Sequence, residues 1–130
     1  MPENPNPVVL LVDDEPPIRH IVRKIMEKHH WTVLEARDGG EAVQMLAAAR
    51  HVDLLITDVQ MPVMDGTELS STVRLLRPRL KVLYLTGYSE KLFASAKMLS
   101  ENEAYLDKPF TSKALMEAVT LLRFGTLQPK

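Results

Sequence analysis

LLITDVQMPVMDG, residues 54–66, is the stretch whose reading decides the fold. An apolar run stops on an acid, Asp58, and is followed by Met61-Pro62 and then Asp65-Gly66. Unbroken apolarity is what a parallel strand covered on both faces shows, whereas a sheet with one wet face alternates. The acid at its end is either a turn residue or a group that the sheet presents. Asp65 reads as a cap or turn residue. Asp58 fits that role less well, because no helix pattern opens until about residue 66.

Working outward, similar runs occur at VVLLV (8–12), VDLLIT (52–57), KVLYLT (81–86) and AYL (104–106), while TVLEA (32–36) alternates and reads as an edge strand. Helical periodicity fills the gaps. After Pro16-Pro17, residues Ile18, Ile21, Val22, Ile25 and Met26 share one face, and prolines are tolerated in a first turn because their missing N–H has no intrahelical acceptor there. Ala42, Val43, Leu46 and Ala47 stripe the segment 39–50; Leu69, Val73 and Leu76 stripe 67–77, which Pro78 stops. A less regular pattern over 90–101 involves Leu92, Phe93, Ala96 and Leu99. The last helix, 112–123, follows Thr111 as an N-cap and turns Leu115, Met116, Val119 and Leu122 inward. The order βαβαβαβαβα predicts a three-layer α/β/α sandwich around a five-stranded parallel sheet.

Composition bounds the function. The 130 residues fit one domain, expected over 8–123, with a lead at 1–7 and a tail at 124–130 too short for an effector domain. A net charge of −1 gives no support for sequence-independent nucleic-acid binding, which needs a clustered basic surface. Cysteine is absent, so disulfides and thiolate metal sites are excluded. No apolar run approaches the roughly 20 residues of a membrane span, and MPENPNP lacks the layout of a signal peptide. A cytoplasmic domain with no membrane insertion is expected.

In open parallel α/β sheets, ligands bind beyond the carboxyl ends of the strands. Those ends carry Asp13-Asp14-Glu15, Asp58, Thr86-Gly87 and Asp107-Lys108-Pro109. Taken alone, Asp14 or Glu15 reads equally well as a helix cap. Together the acids would raise one another's pKa and destabilise the fold without a neutralising cation. Lys108 offsets one charge. The rest suits Mg²⁺, which takes one or two carboxylates and leaves positions for phosphate oxygens. A carboxylate in such a setting can attack a phosphoryl group.

The motifs VDDE (12–15), TDVQMPVMDG (57–66), YLTGYS (84–89) and YLDKPF (105–110), in this order, resemble the receiver domain of two-component response regulators, chemotaxis regulators among them. The resemblance covers about 8–123 and implies the flavodoxin-like (βα)5 strand order 2-1-3-4-5. By position it implies that Asp58 is the phosphoacceptor. Asp14, Asp58 and the Gln60 backbone carbonyl would hold Mg²⁺, with Mn²⁺ as substitute, and Asp13 would act mainly through water. Lys108 would bind the phosphoryl oxygens, Thr86 would move toward them and Tyr105 would change rotamer with Thr86. Lys108-Pro109 would be cis. The donor would be a sensor histidine kinase or a histidine phosphotransfer protein. The output face would be the fourth helix (90–101), strand 5 and the fifth helix (112–123), facing an effector, a fused domain or a second copy in a homodimer. Gln60 and Tyr88 stand where the family tunes dephosphorylation, Gly87 leaves room for small donors, and SENEA (100–104) replaces the family's Gly-containing turn.

Two rivals remain at this point. A haloacid-dehalogenase-like phosphatase would want an acid two residues after its nucleophile, where Gln60 stands, and a cap domain. A non-phosphorylated docking module would have no use for the full set Asp13, Asp14, Asp58, Thr86 and Lys108. Elsewhere, His20, His29, His30 and His51 show no metal spacing, Trp31 is expected between the first helix and second strand, and Arg74, Arg77, Arg79 and Lys81 read as a solvated basic strip.

Overall fold

The computed structural model describes residues 6–49, 51–59, 66–87 and 102–124. Strands β1 (Val8–Val12), β2 (Thr32–Ala36), β3 (Leu54–Asp58), β4 (Lys81–Thr86) and β5 (Glu103–Asp107) form one sheet, all parallel, in the order β2-β1-β3-β4-β5. Helices α1 (Pro16–Lys28), α2 (Gly39–Ala48), α3 (Gly66–Leu76) and α4 (Ser112–Phe124) follow β1, β2, β3 and β5. The flavodoxin-like order 2-1-3-4-5 is thus present. The helix expected over 90–101, together with Gln60, Met61-Pro62, Asp65 and Tyr88, lies outside the described residues.

Two apolar layers explain why the strands read as unbroken. Leu10, Val12, Leu55, Val82 and Tyr84 pack under Ala42 and Leu46 of α2 and Leu69 and Val73 of α3. The alternate residues Val9, Leu11, Leu54, Ile56, Leu83 and Leu85 pack under Val22 and Met26 of α1 and Leu115, Val119 and Leu122 of α4. Every β3 residue is buried, and each Leu or Ile removed from water contributes roughly 1.5–3 kcal/mol. Met26 is buried, and Met45 and Met116 are partly buried, one on each side.

Local chemistry sets the ends. Asp38 caps α2 by accepting from Glu41 N at 2.8 Å, and Thr111 Oγ1 accepts from Ala114 N at 3.0 Å as the N-cap of α4. β3 begins at Leu54 rather than Val52, because the Asp53 side chain takes over: its Oδ2 accepts from Val8 N at 2.8 Å while Asp53 N donates to Val8 O at 2.8 Å. The exposed His51 pairs with the same carboxylate at 2.9 Å. β5 is longer than AYL, gaining Glu103 and Asp107 at its ends.

Two expectations need correcting and that for Trp31 needs extending. Ile21 and Leu76 sit at the margins of their helix stripes and are 49% and 45% exposed, since the sheet offers each helix only a narrow arc. Trp31 packs with Val22 and Met26 of α1 but also with α4, and the Arg123 guanidinium lies 5.1 Å above its ring. The basic strip is only half solvated. Arg74 donates to Leu80 O and to Glu103 Oε2, and Arg77 donates to Leu46 O and Ala49 O.

Candidate functional site

The register decides which strand ends meet. β1 and β3 are neighbours with Val12 opposite Thr57, so Asp13 and Asp58 emerge side by side. β3 and β4 pair Asp58 with Leu85, and β4 and β5 pair Thr86 with Asp107. Lys108 follows immediately, and its backbone N donates to Thr86 O at 2.9 Å. The Lys108–Pro109 peptide is cis.

These ends converge through the Lys108 ammonium. Its Nζ lies 3.0 Å from Asp58 Oδ2, 3.5 Å from Glu15 Oε1 and 3.8 Å from Asp13 Oδ2. Asp13 and Asp58 are buried, whereas Asp14 is exposed. One carboxylate oxygen from each of Asp13, Asp14 and Asp58 lies within 4.8 Å of the others. Asp13 Oδ1 accepts from Glu15 N at 2.8 Å, but Asp13 Oδ2 is buried with no hydrogen-bond partner.

Electrostatics follow from that packing. Burial, reinforced by the Asp58 and Glu15 charges, pushes the Asp13 carboxyl up to about 6, against the opposing pull of the Glu15 N–H and Lys108. Burial alone would lower Lys108. Its hydrogen bond to Asp58 and the charges of Asp13, Asp58 and Glu15 outweigh that and raise it. The ammonium therefore stays charged. An orphaned carboxylate oxygen inside a triad of acids is a donor set for a hard divalent cation, since such ions take carboxylate oxygens and relieve exactly this crowding of like charge.

Thr86 is buried at the end of β4 on the face that carries Tyr84, and at Gly87 beside it no atom of the described residues lies within 4 Å of where a Cβ would stand. Tyr105 is 43% exposed on β5, level with Tyr84 rather than with Thr86. Asp13, Asp14, Asp58 and Lys108 are thus brought together and Thr86 borders them. Gln60 lies outside the described residues.

Sequence reasoning missed Arg19 and Glu35, and read Glu15 only as a strand-end acid or helix cap. Glu15 stands at the N-cap of α1 without making a side-chain cap, and reaches Lys108 instead. Arg19 Nη1 donates to the Asp13 carbonyl at 2.6 Å, and Glu35 of β2 holds both Arg19 and Arg23. The available signal was a charged Glu in an edge strand opposite two arginines one helical turn apart.

Comparison with known proteins agrees with this arrangement. Residues 9–120 match the response regulator receiver domain. The chain is 35% identical over 112 residues to a sensor kinase, CckA, of Brucella abortus, covering 85% of this chain and 12% of that protein. It therefore spans only a small part of the curated sensor kinases that it matches. It is 32% identical to a chemotaxis protein, CheY, of Halobacterium salinarum, covering 86% of this chain and 92% of that one. Among solved structures, the response regulator TrrA of Thermotoga maritima, in complex with Mg²⁺-BeF, superposes with a TM-score of 0.75 at 29% identity, covering 89% of this chain and 98% of that one. Among the described residues no helix is long and apolar enough to cross a membrane. A family match over most of the chain does not favour the phosphatase. With acids at three strand ends, a lysine after β5 and this strand order, the chain belongs to the receiver domains of two-component response regulators.

Proposed function

We propose that Asp58 accepts a phosphoryl group from a phosphohistidine and that the aspartyl phosphate switches a receiver unit spanning 8–123. The observation that carries this reading is the 3.0 Å pair of Lys108 Nζ with Asp58 Oδ2 inside the carboxylate triad. An Asp58 carboxylate oxygen attacks phosphorus, an acyl-phosphate P–O bond forms, the donor's P–N bond breaks, and the departing imidazole nitrogen keeps the electron pair. Lys108 exchanges its carboxylate partner for phosphoryl oxygens, and Thr86 donates a hydrogen bond to them. Asp14, Asp58 and the Gln60 carbonyl would hold Mg²⁺, or Mn²⁺ in its place, with Asp13 acting mainly through water. When bound, the ion neutralises charge on the transferring group. The Mg²⁺-BeF complex of the Thermotoga relative supports that choice of ion.

The donor is a sensor histidine kinase or a histidine phosphotransfer protein in the cytoplasm, in keeping with the kinase relatives. The chain catalyses only its own gain and loss of phosphate. A new dianion at Asp58 biases a two-state equilibrium. Thr86 and Tyr105 relay it to the face of the 90–101 segment, β5 and α4, where an effector, a fused domain or a second copy docks. Acetyl phosphate with Mg²⁺ should add one phosphoryl group by mass, and Asp58→Asn should abolish the gain. A wild-type protein unchanged by both acetyl phosphate and beryllofluoride would overturn the reading.

A further inference from the structure

We infer that Arg19, oriented by Glu35, is a positioning residue that sets the divalent-cation affinity of the acidic site. The inference rests on the phosphoacceptor reading above insofar as it takes that site to bind a cation. Each polar atom of Asp13 except one is tied down. Its backbone N donates to Ala36 O at 3.3 Å, its Oδ1 accepts from Glu15 N at 2.8 Å, and its carbonyl accepts from Arg19 Nη1 at 2.6 Å. The remaining atom, Oδ2, is buried without a hydrogen bond, 3.8 Å from Lys108 Nζ. The residue is clamped so that one oxygen is left for a ligand.

Arg19 is held in turn. Its Nε meets Glu35 Oε1 at 3.3 Å, and Arg23 Nη1 meets Glu35 Oε2 at 3.0 Å, so one carboxylate on β2 fixes two arginines one turn apart on α1. The next residue of β2, Ala36, accepts the Asp13 N–H. The edge strand therefore grips Asp13 twice, once by backbone and once through Glu35 and Arg19. Arg19 bonds the Asp13 main-chain carbonyl rather than its carboxylate, so it acts on the site by position. Partners behind metal ligands typically set affinity by about 10–100-fold, because they decide how much ligand freedom is lost on binding.

The test is Mg²⁺ titration of the metal-free full chain by calorimetry, with thermal unfolding in EDTA recorded alongside. Arg19→Met is expected to weaken Mg²⁺ binding by about tenfold, the low end of that range. Arg19→Lys should recover part of the affinity, Glu35→Gln should lose less than Arg19→Met, and Arg79→Gln, remote from the site, should match wild type. Acetyl-phosphate labelling of Arg19→Met should regain the wild-type rate once Mg²⁺ is raised in proportion, a recovery that general loosening of the fold would not show. A folded Arg19→Met with wild-type Mg²⁺ affinity overturns the inference. If that variant fails to fold, unchanged affinity in Glu35→Gln overturns it instead. Wild-type protein that binds no Mg²⁺ overturns the phosphoacceptor reading itself, which separates the two failures.

Discussion

Lys108 Nζ sits 3.0 Å from Asp58 Oδ2, although the two residues are 50 apart in the chain. The same ammonium faces Glu15 and Asp13, so it offsets carboxylate charge at rest and, in the proposed transfer, would meet the phosphoryl oxygens. Lys108→Met should therefore lower the acetyl-phosphate labelling rate by about 100-fold, the scale on which losing one preorganised charge-stabilising donor is felt. Mg²⁺ binding should persist, since its carboxylate ligands remain. Labelling rates at saturating Mg²⁺ check this; a loss below threefold would remove Lys108 from the chemistry.

Asp13 makes the metal-free protein pH-sensitive. Its carboxyl is raised from 3.8 to about 6, chiefly by burial. The folded state then holds the proton more tightly than the unfolded one. This contribution to stability is complete below pH 3.8 and is lost as pH rises through about 6. In EDTA, Asp13→Asn should be more stable than wild type at pH 7.5, by on the order of 2 kcal/mol, and the advantage should shrink by pH 5. Adding Mg²⁺ should stabilise wild type far more than the variant. Urea midpoints at the two pH values provide the measurement.

The parts legible in the sequence are those whose cause is local. β1, β3 and β4 announced themselves because each is covered on both faces. β5 showed only its middle, since Glu103 and Asp107 bring polar groups to its ends. The acids at strand ends were legible because a parallel sheet delivers them to one edge whatever the helices do. The pairing of Arg19 with Glu35 was not, because it depends on how α1 lies across β2, a relation spanning 16 residues; nor was the reach of Glu15, itself read at a strand end, to Lys108, 93 residues on. The basic strip misled for the same reason, since nothing local tells Arg74 and Arg77, which find buried carbonyls, from Arg79.

A polar network on the α3 side of the sheet ties α3 to β4 and β5. Tyr84 Oη donates to Ser70 Oγ at 2.6 Å and lies 3.4 Å from Glu103 Oε2, which Arg74 also holds. Burial raises the Tyr84 phenol, so it stays a neutral donor. Tyr84→Phe should cost roughly 1 kcal/mol, the net worth of a buried hydrogen bond. Ser70→Ala should cost about the same, yet the double variant should cost less than the sum by at least about 0.5 kcal/mol, because the two changes share the Tyr84–Ser70 bond. Additive losses would show that the two hydroxyls do not act as a pair.

Arg77 and Arg79 differ by two positions and should differ in what they do. Arg77 Nη2 donates to Leu46 O at 2.9 Å and to Ala49 O at 2.5 Å. These are carbonyls at the end of α2, where a cation also complements the helix dipole. Arg79 is exposed. Arg77→Gln should lower stability by about 1–2 kcal/mol, because charge-assisted bonds to half-buried carbonyls are replaced by a shorter, neutral side chain. Arg79→Gln should stay within about 0.5 kcal/mol of wild type, as surface substitutions without such partners do. Neither change touches Asp58, so labelling by acetyl phosphate should be unchanged in both. Equal denaturation midpoints for the two variants would mean that the α2 carbonyls are served as well by water as by Arg77.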